Sequence, residues 1–198
     1  MTFLDETYFV GEILIPNLSA SADPSSSANQ ASIRAFIAQW EPDFLVKLLG
    51  ATLYQDFVAG MATVPIPAKW AALKAAIYTS ETVGTGATAV TYYRSPAANY
   101  VYFMFTRHMA SQTGPTGELT QKFSSGENSV SVIKLVNAWN HMVADVNVIR
   151  DFLTDHQDDY PDWDASQYQT VVLQDYFAGT FLSADTDPFR TINEMGTY

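Results

Sequence analysis

Residues 132–155, VIKLVNAWNHMVADVNVIRDFLTD, decide the fold class. Val132, Leu135, Val136, Trp139, Met142, Val143, Val146, Ile149 and Leu153 recur at intervals of three and four. In a helix such intervals stack side chains into one stripe, whereas a half-buried strand needs intervals of two. The stretch predicts a long amphipathic helix running to about Asp155, broken by Tyr160-Pro161-Asp162-Trp163. A stripe that wide must be buried against other elements.

Those partners lie upstream. Ile33, Phe36, Ile37 and Trp40 form a second helical stripe starting near Gln30. Pro42 lacks an N–H and disfavours the helical state of Glu41, so a kink or fresh start is expected there. Phe44, Leu45, Leu48 and Leu49 follow, closed by Gly50. Leu53, Tyr54 and Phe57 come next, closed by Gly60. Glycine suits the residue after a helix because it accepts a left-handed backbone. Pro67 fits the first turn of a helix carrying Trp70, Leu73 and Ile77. Ser95-Pro96 supplies a cap and a first helical residue for a further helix. Tyr100 to Phe105 is apolar or aromatic on nearly every side, which places that helix centrally. Gly114-Pro115 and Gly117 mark its end, and 114–128 reads as a polar loop.

Two kinds of segment depart from this pattern. Gly84-Thr85-Gly86 lies between Thr/Val-rich flanks ending in Val90, Tyr92 and Tyr93, the pattern of a loop or exposed β-hairpin over 79–94. At the N-terminus, Phe9, Ile13 and Ile15 alternate with small or acidic residues up to Pro16-Asn17, and a Ser/Ala-rich link follows. Tyr168–Leu182 is ambiguous between strand and helix, and 185–198 reads as a tail. The expected fold is mainly α: a helical bundle with a β-hairpin-like insertion and extended N- and C-terminal arms. Its divisions are an N-terminal arm and linker (1–28), a bundle core (29–158) with the insertion 79–94, and a C-terminal docking segment and tail (159–198).

Composition narrows the function. Only 16% of residues are charged while 14% are aromatic, against roughly 25% charged in ordinary globular chains. Aromatic residues dominate cores and protein interfaces, so a surface short of charge points to protein neighbours. The net charge of −11 is unevenly spread. Residues 1–144 hold 8 basic and 10 acidic side chains, net −2, and residues 145–198 hold two arginines against 11 acids, net −9. Such a segment repels phosphate, which argues against sequence-specific nucleic-acid binding. The absence of cysteine excludes disulfides, a thiol nucleophile and Cys-ligated metal, and fits a reducing compartment. Asp5 and Glu6 stand where a secretory leader needs basic residues, and no apolar run approaches the ~20 residues of a membrane span. A non-secreted chain without membrane contact is expected.

No motif for catalysis emerges. His108, His141 and His156 fall on or at the end of helices without ligand spacing, and His108 reads as a satisfied core or interface histidine. Asp151, Asp155, Asp158, Asp159, Asp162 and Asp164 read as a solvated acidic face. Counted from Asp162 as a calcium loop, position six is Gln167 and position twelve Leu173, which breaks the pattern. Gly84-x-Gly86-x-x-Ala89 lies between a helix and a strand-like stretch, the wrong order for a dinucleotide fingerprint. No Gly-x-Ser-x-Gly and no phosphate-binding Gly-x4-Gly-Lys sequence occurs. The expectation is no enzyme, no catalytic residue, no cofactor and no metal.

Several landmarks then line up: Ile15-Pro16-Asn17, Phe36-Ile37, Trp40-Glu41-Pro42, Phe44-Leu45, Leu48-Leu49-Gly50, Leu53-Tyr54 and Phe57. Trp70 and Leu73, Tyr100-Val101-Tyr102-Phe103, Ala138-Trp139-Asn140 with Met142, and Phe189-Arg-Thr-Ile192-Asn193-Glu-Met-Gly196 continue the series. Their order resembles head–tail connector (adaptor, or head-completion) proteins of tailed bacteriophages, most closely those from phages of Bacteroidota hosts. Residues 79–94 and 164–185 have no counterpart in that resemblance.

The resemblance implies a helical bundle that assembles with itself as a ring, expected to be a dodecamer, under the portal protein. It implies no catalytic residues, arms that dock on portal and neighbouring neck or tail proteins, and DNA passing nearby without sequence-specific binding. The implied location is the virion neck, after assembly in the host bacterial cytoplasm. Expected interface residues are Phe9, Ile13 and Ile15 in the N-terminal arm, Tyr92 and Tyr93 in the hairpin, and Phe189, Ile192 and Asn193 in the C-terminal arm. A stopper or tail terminator would use the same surface logic. A cation- or carbohydrate-binding module built on the Asp151–Asp164 acids is the reading from a different class.

Overall fold

The computed structural model describes residues 1–15, 18, 24–86, 89–114, 117–120 and 132–164. Within them the chain is mainly helical: α1 (Pro24–Leu49), α2 (Ala51–Met61), α3 (Ala68–Ile77), α4 (Pro96–Ala110) and α5 (Val132–Asp155). Strands β1 (Thr79–Val83) and β2 (Val90–Arg94) form one antiparallel hairpin between α3 and α4. Strands β3 (Ser111–Gly114) and β4 (Gly117–Thr120) form another directly after α4. Among the described residues no helix is long and apolar enough to cross a membrane.

Helix α4 lies between α1 and α5, and this three-helix layer carries most of the core. The stripe on α5 is buried as its periodicity demands: Leu135, Val136, Trp139, Met142, Val143, Val146, Ile149 and Leu153 all face inward. Each such side chain contributes roughly 1.5–3 kcal/mol on burial. Tyr100 to Phe105 on α4 are buried without a break, which makes α4 the central helix. Trp139 of α5 meets Phe103 with ring centroids 5.0 Å apart, a tilted contact of the kind aromatic quadrupoles favour. The start of α4 is capped as its sequence predicts: the Ala97 N–H donates to Ser95 Oγ at 3.2 Å.

The structure departs from expectation at five places. Helix α1 starts at Pro24 instead of near Gln30: proline is preorganised for a first helical turn, and residues 25–29, though mostly weak helix formers, include no further proline or glycine. Pro42 does not end it. Ile33, Ile37, Phe44, Leu45 and Leu48 keep one unbroken helical phase across the proline and are all buried. Their combined burial outweighs the ~3 kcal/mol that an interior proline costs.

Gly50 does close α1, with φ 79° and its N–H donating to Val46 O at 2.9 Å. Gly60 plays another part. It is buried in the last turn of α2, where a Cβ would overlap the Trp70 indole, so glycine is there for close approach. The polar loop expected from 114 onward begins instead as the β3–β4 hairpin, with Gly114 and Gly117 as cross-strand partners next to the turn. Four-residue strands without apolar alternation leave no periodic trace.

The N-terminal arm stays outside the helices but is not strand-like. It makes two 3-10 turns, Glu6–Tyr8 and Gly11–Ile13, and lies along the bundle. At the other end, Tyr160 and Trp163 fold back into the core, with the Tyr160 hydroxyl donating to Lys69 O at 2.6 Å. The ambiguous stretch 168–182 and the tail 185–198 lie outside the described residues.

Candidate assembly interface

The β1–β2 hairpin presents an exposed surface with aromatic side chains. All five residues of β1 are exposed, as are Thr91 to Arg94 of β2. The register pairs Thr79 with Arg94, Ser80 with Tyr93, Glu81 with Tyr92, Thr82 with Thr91 and Val83 with Val90. Its turn uses glycine where the backbone is left-handed, at Gly84 (φ 93°) and Gly86 (φ 63°). The Thr82 and Thr91 hydroxyls lie 3.0 Å apart across the strands. Tyr92 and Tyr93 are 47% and 40% exposed, and Val83 is 53% exposed. Two strands alone are marginal in water, and unpaired edges invite a further partner.

Two contacts hold the hairpin to the bundle at its base. The Arg94 guanidinium donates twice to Asp145 of α5, Nε to Oδ2 at 3.1 Å and Nη2 to Oδ1 at 2.5 Å. Tyr93 packs its ring on Tyr8 of the N-terminal arm, centroids 5.3 Å apart, and Tyr8 in turn meets Tyr78 edge-on. Both contacts lie at the root of the hairpin, one on each side of β2.

The expected interface residues divide into three groups. Tyr92 and Tyr93 are on the exposed hairpin. Phe9 and Ile15 are buried in this chain's own core and Ile13 packs against it, because the arm lies on the bundle and covers them. Phe189, Ile192 and Asn193 lie outside the described residues.

Sequence reasoning missed Glu41. Its side chain is fully buried, and its carboxylate receives the Tyr78 hydroxyl at 2.6 Å and the backbone N–H groups of Phe3 and Leu4 at 3.0–3.1 Å. Burial pushes its carboxyl above the ordinary glutamate value, and the three donors oppose that shift. The Tyr78 phenol is pushed well above its usual range by burial and by the adjacent carboxylate. A signal was present: Glu41 sits eight residues after Ile33 and four before Leu45, on the apolar stripe itself. A second polar cluster joins α1 to α4, where Lys47 Nζ donates to Asp43 and to the Tyr100 hydroxyl, which donates to Asp43 at 2.8 Å. Burial and the Asp43 charge raise the Tyr100 phenol too, so neither tyrosine is poised to act as a base.

His108 is exposed at the rim of the bundle instead of lying in its core, with its ring against Phe36 and Trp40 and Nδ1 2.7 Å from Met104 O. His141 and His156 are exposed as well. So are the six acids from Asp151 to Asp164, consistent with a solvated face. Among the described residues no group of three or more His, Asp or Glu side chains is arranged to hold a metal ion.

No family model matches the chain, and neither a curated protein nor a solved structure matches it.

Proposed function

We propose that the chain is a structural virion component: a ring-forming head–tail connector between portal and tail, located in the neck. The observation that carries the reading is the β1–β2 hairpin, anchored at its root by Arg94–Asp145 and by Tyr93 on Tyr8, with the residues of β1 and Thr91 to Arg94 exposed. A hairpin with neither edge paired among the described residues suits contact with the next copy in a ring or with an adjacent layer. The shortage of charge over the chain agrees with a surface shared among several protein neighbours.

In this reading the acidic turn from Asp151 to Asp164 faces passing DNA and keeps phosphate from adhering, since like charge opposes close approach. Phe9 and Ile15 serve the subunit's own core, so docking falls to Tyr92 and Tyr93 and to the segment containing Phe189, Ile192 and Asn193. The test is the solution mass of the chain alone and mixed with a portal protein. A ring, or a stable complex with portal that deletion of 186–198 abolishes, supports the proposal. A chain that stays monomeric and ignores portal under all conditions overturns it.

A further inference from the structure

Met61 and Trp70 are buried, and every residue between them is exposed. The connection from α2 to α3, Ala62-Thr63-Val64-Pro65-Ile66-Pro67, carries no charge. Val64 is 97% exposed and Ile66 45%. Single surface hydrophobics are ordinary, but four consecutive apolar residues open to water call for a cover. The loop is also held in shape. Thr63 Oγ1 donates to Gly60 O at 2.7 Å, and the Trp70 and Ala71 N–H groups donate to Pro67 O at 3.0 and 3.1 Å. Pro65 and Pro67 fix two of its φ angles. A surface already in its final conformation has little entropy to lose on being covered.

The chain passes beside this loop as it leaves α5. The Tyr160 hydroxyl donates to Lys69 O at 2.6 Å, and its ring packs on Trp70 with centroids 6.0 Å apart. Lys69 Nζ donates to Asp159 O at 3.4 Å. Trp163 is buried, its N–H donating to Tyr160 O at 3.1 Å and its carbonyl accepting from Gln157 Nε2 at 3.2 Å. These bonds tie the turn 157–163 to the first residues of α3, and Lys69 stands just after Pro67 and Ala68. Past the described residues, the chain continues from Asp164 as Ala165-Ser-Gln-Tyr168-Gln-Thr-Val171-Val172-Leu173-Gln174, again without a charge. An extended chain covers roughly 3.3–3.6 Å per residue, so the four residues 165–168 reach about 13–14 Å. That length brings Tyr168 from the start of α3 to the loop before it.

We propose that residues 168–173 of the same chain dock on the α2–α3 loop and cover Val64 and Ile66. Tyr168, Val171, Val172 and Leu173 are the first large apolar side chains after Trp163. Neither surface holds a charge that contact would strip of water. The short tether keeps the segment near the loop at an effective concentration of about millimolar, which favours the chain's own segment over that of a second copy. The β1–β2 hairpin also exposes apolar residues, but it starts at the other end of α3, roughly 15 Å farther along the helix axis. Docking at the loop sets the point from which the segment containing Phe189 leaves the subunit, and it does not depend on the connector reading.

The full chain has no cysteine, so Gln174→Cys places a single nitroxide label next to Leu173 without replacing a docking residue. Paramagnetic broadening of the backbone amide signals is then read by NMR. It should centre on Thr63, Val64 and Ile66. Val64→Asp/Ile66→Asp sets two charges against an apolar segment and should lose the broadening. Both positions are exposed, so that variant should keep the wild-type helical circular dichroism. Val171→Asp/Val172→Asp, on the other side of the contact, should lose the broadening as well, whereas Val64→Leu should retain it. Isotope-labelled protein without the nitroxide, mixed with unlabelled protein that carries it, reports contacts between copies and should show no broadening at the loop. The proposal is overturned if the loop amides are unaffected or are affected no more than those of 79–83. It is equally overturned if broadening persists in both double variants, or if it appears in the mixed sample, which would mean that a second copy supplies the segment.

Discussion

The Tyr78 hydroxyl donates to Glu41 Oε1 at 2.6 Å, and both side chains are buried between the N-terminal arm and the helices. This bond joins the end of α3 to the middle of α1 and completes the site that receives the backbone of Phe3 and Leu4. Hydrogen bonds to a buried charge are among the stronger ones in a protein.

Tyr78→Phe removes that donor and keeps the ring. The expected loss is about 1.5–3 kcal/mol of global stability, the range for hydrogen bonds to charged groups. Urea denaturation of the two proteins checks it; an unchanged midpoint would show that water replaces the phenol.

Stability should depend on pH through Glu41. Its carboxyl is raised in the folded chain, so the fold binds this proton more tightly than the unfolded chain does. The resulting stabilisation is fully present below the ordinary glutamate value of about 4.3, and it is lost as pH rises through the raised value. Wild type should therefore lose stability relative to Glu41→Gln on going from mild acid to neutral pH. Paired denaturation curves across that interval measure the difference, and a gap of the opposite sign would refute the assignment.

Gly60→Ala tests the close packing of α2 on α3. Alanine gains about 1 kcal/mol over glycine in an open helix, but here the methyl overlaps the Trp70 indole. Overpacking costs about 1–3 kcal/mol, so the net effect should be destabilising and visible as a lower Tm. A stabilised variant would mean that Trp70 moves aside easily.

Arg94→Ala separates anchoring from stability. The Arg94 side chain is 64% exposed, and exposed ion pairs contribute about 0–1 kcal/mol. Global stability should barely change, whereas hydrogen exchange at the amides of 79–83 and 90–94 should accelerate. Equal protection in both proteins would locate the anchor elsewhere, in the Tyr8–Tyr93 contact.

Tyr92→Ala addresses assembly. Tyr92 is 47% exposed, with no ring partner among the contacts that fix the hairpin root, so its removal should leave the unfolding free energy within about 0.5 kcal/mol of wild type. Self-association, or binding to a portal protein, should weaken at the same time. Unaltered assembly in sedimentation would remove the hairpin from the interface.

Parts of the molecule were legible from spacing alone. The α5 stripe, the central position of α4, the Ser95 cap and the 79–94 hairpin all follow from near-neighbour patterns. The run through Pro42 was legible in principle, because the apolar phase on either side matches. The proline rule misled there because it is a local cost, and long-range burial exceeded it. The exposed hairpin tyrosines were legible as interface candidates, while Phe9 and Ile15 were not recognisable as core residues. Their alternation suits a free strand as well as a strap lying on a bundle.

The sequence by itself determined the mainly helical class, the long final helix and the position of the insertion, since these depend on residues three or four apart. Only the tertiary structure decided the burial of Glu41, the closure of the arm over it and the need for glycine at position 60. The reason is separation along the chain. Glu41 is bonded to residues 37 and 38 positions away, and no local pattern encodes which distant donors will meet a carboxylate once the helices have packed.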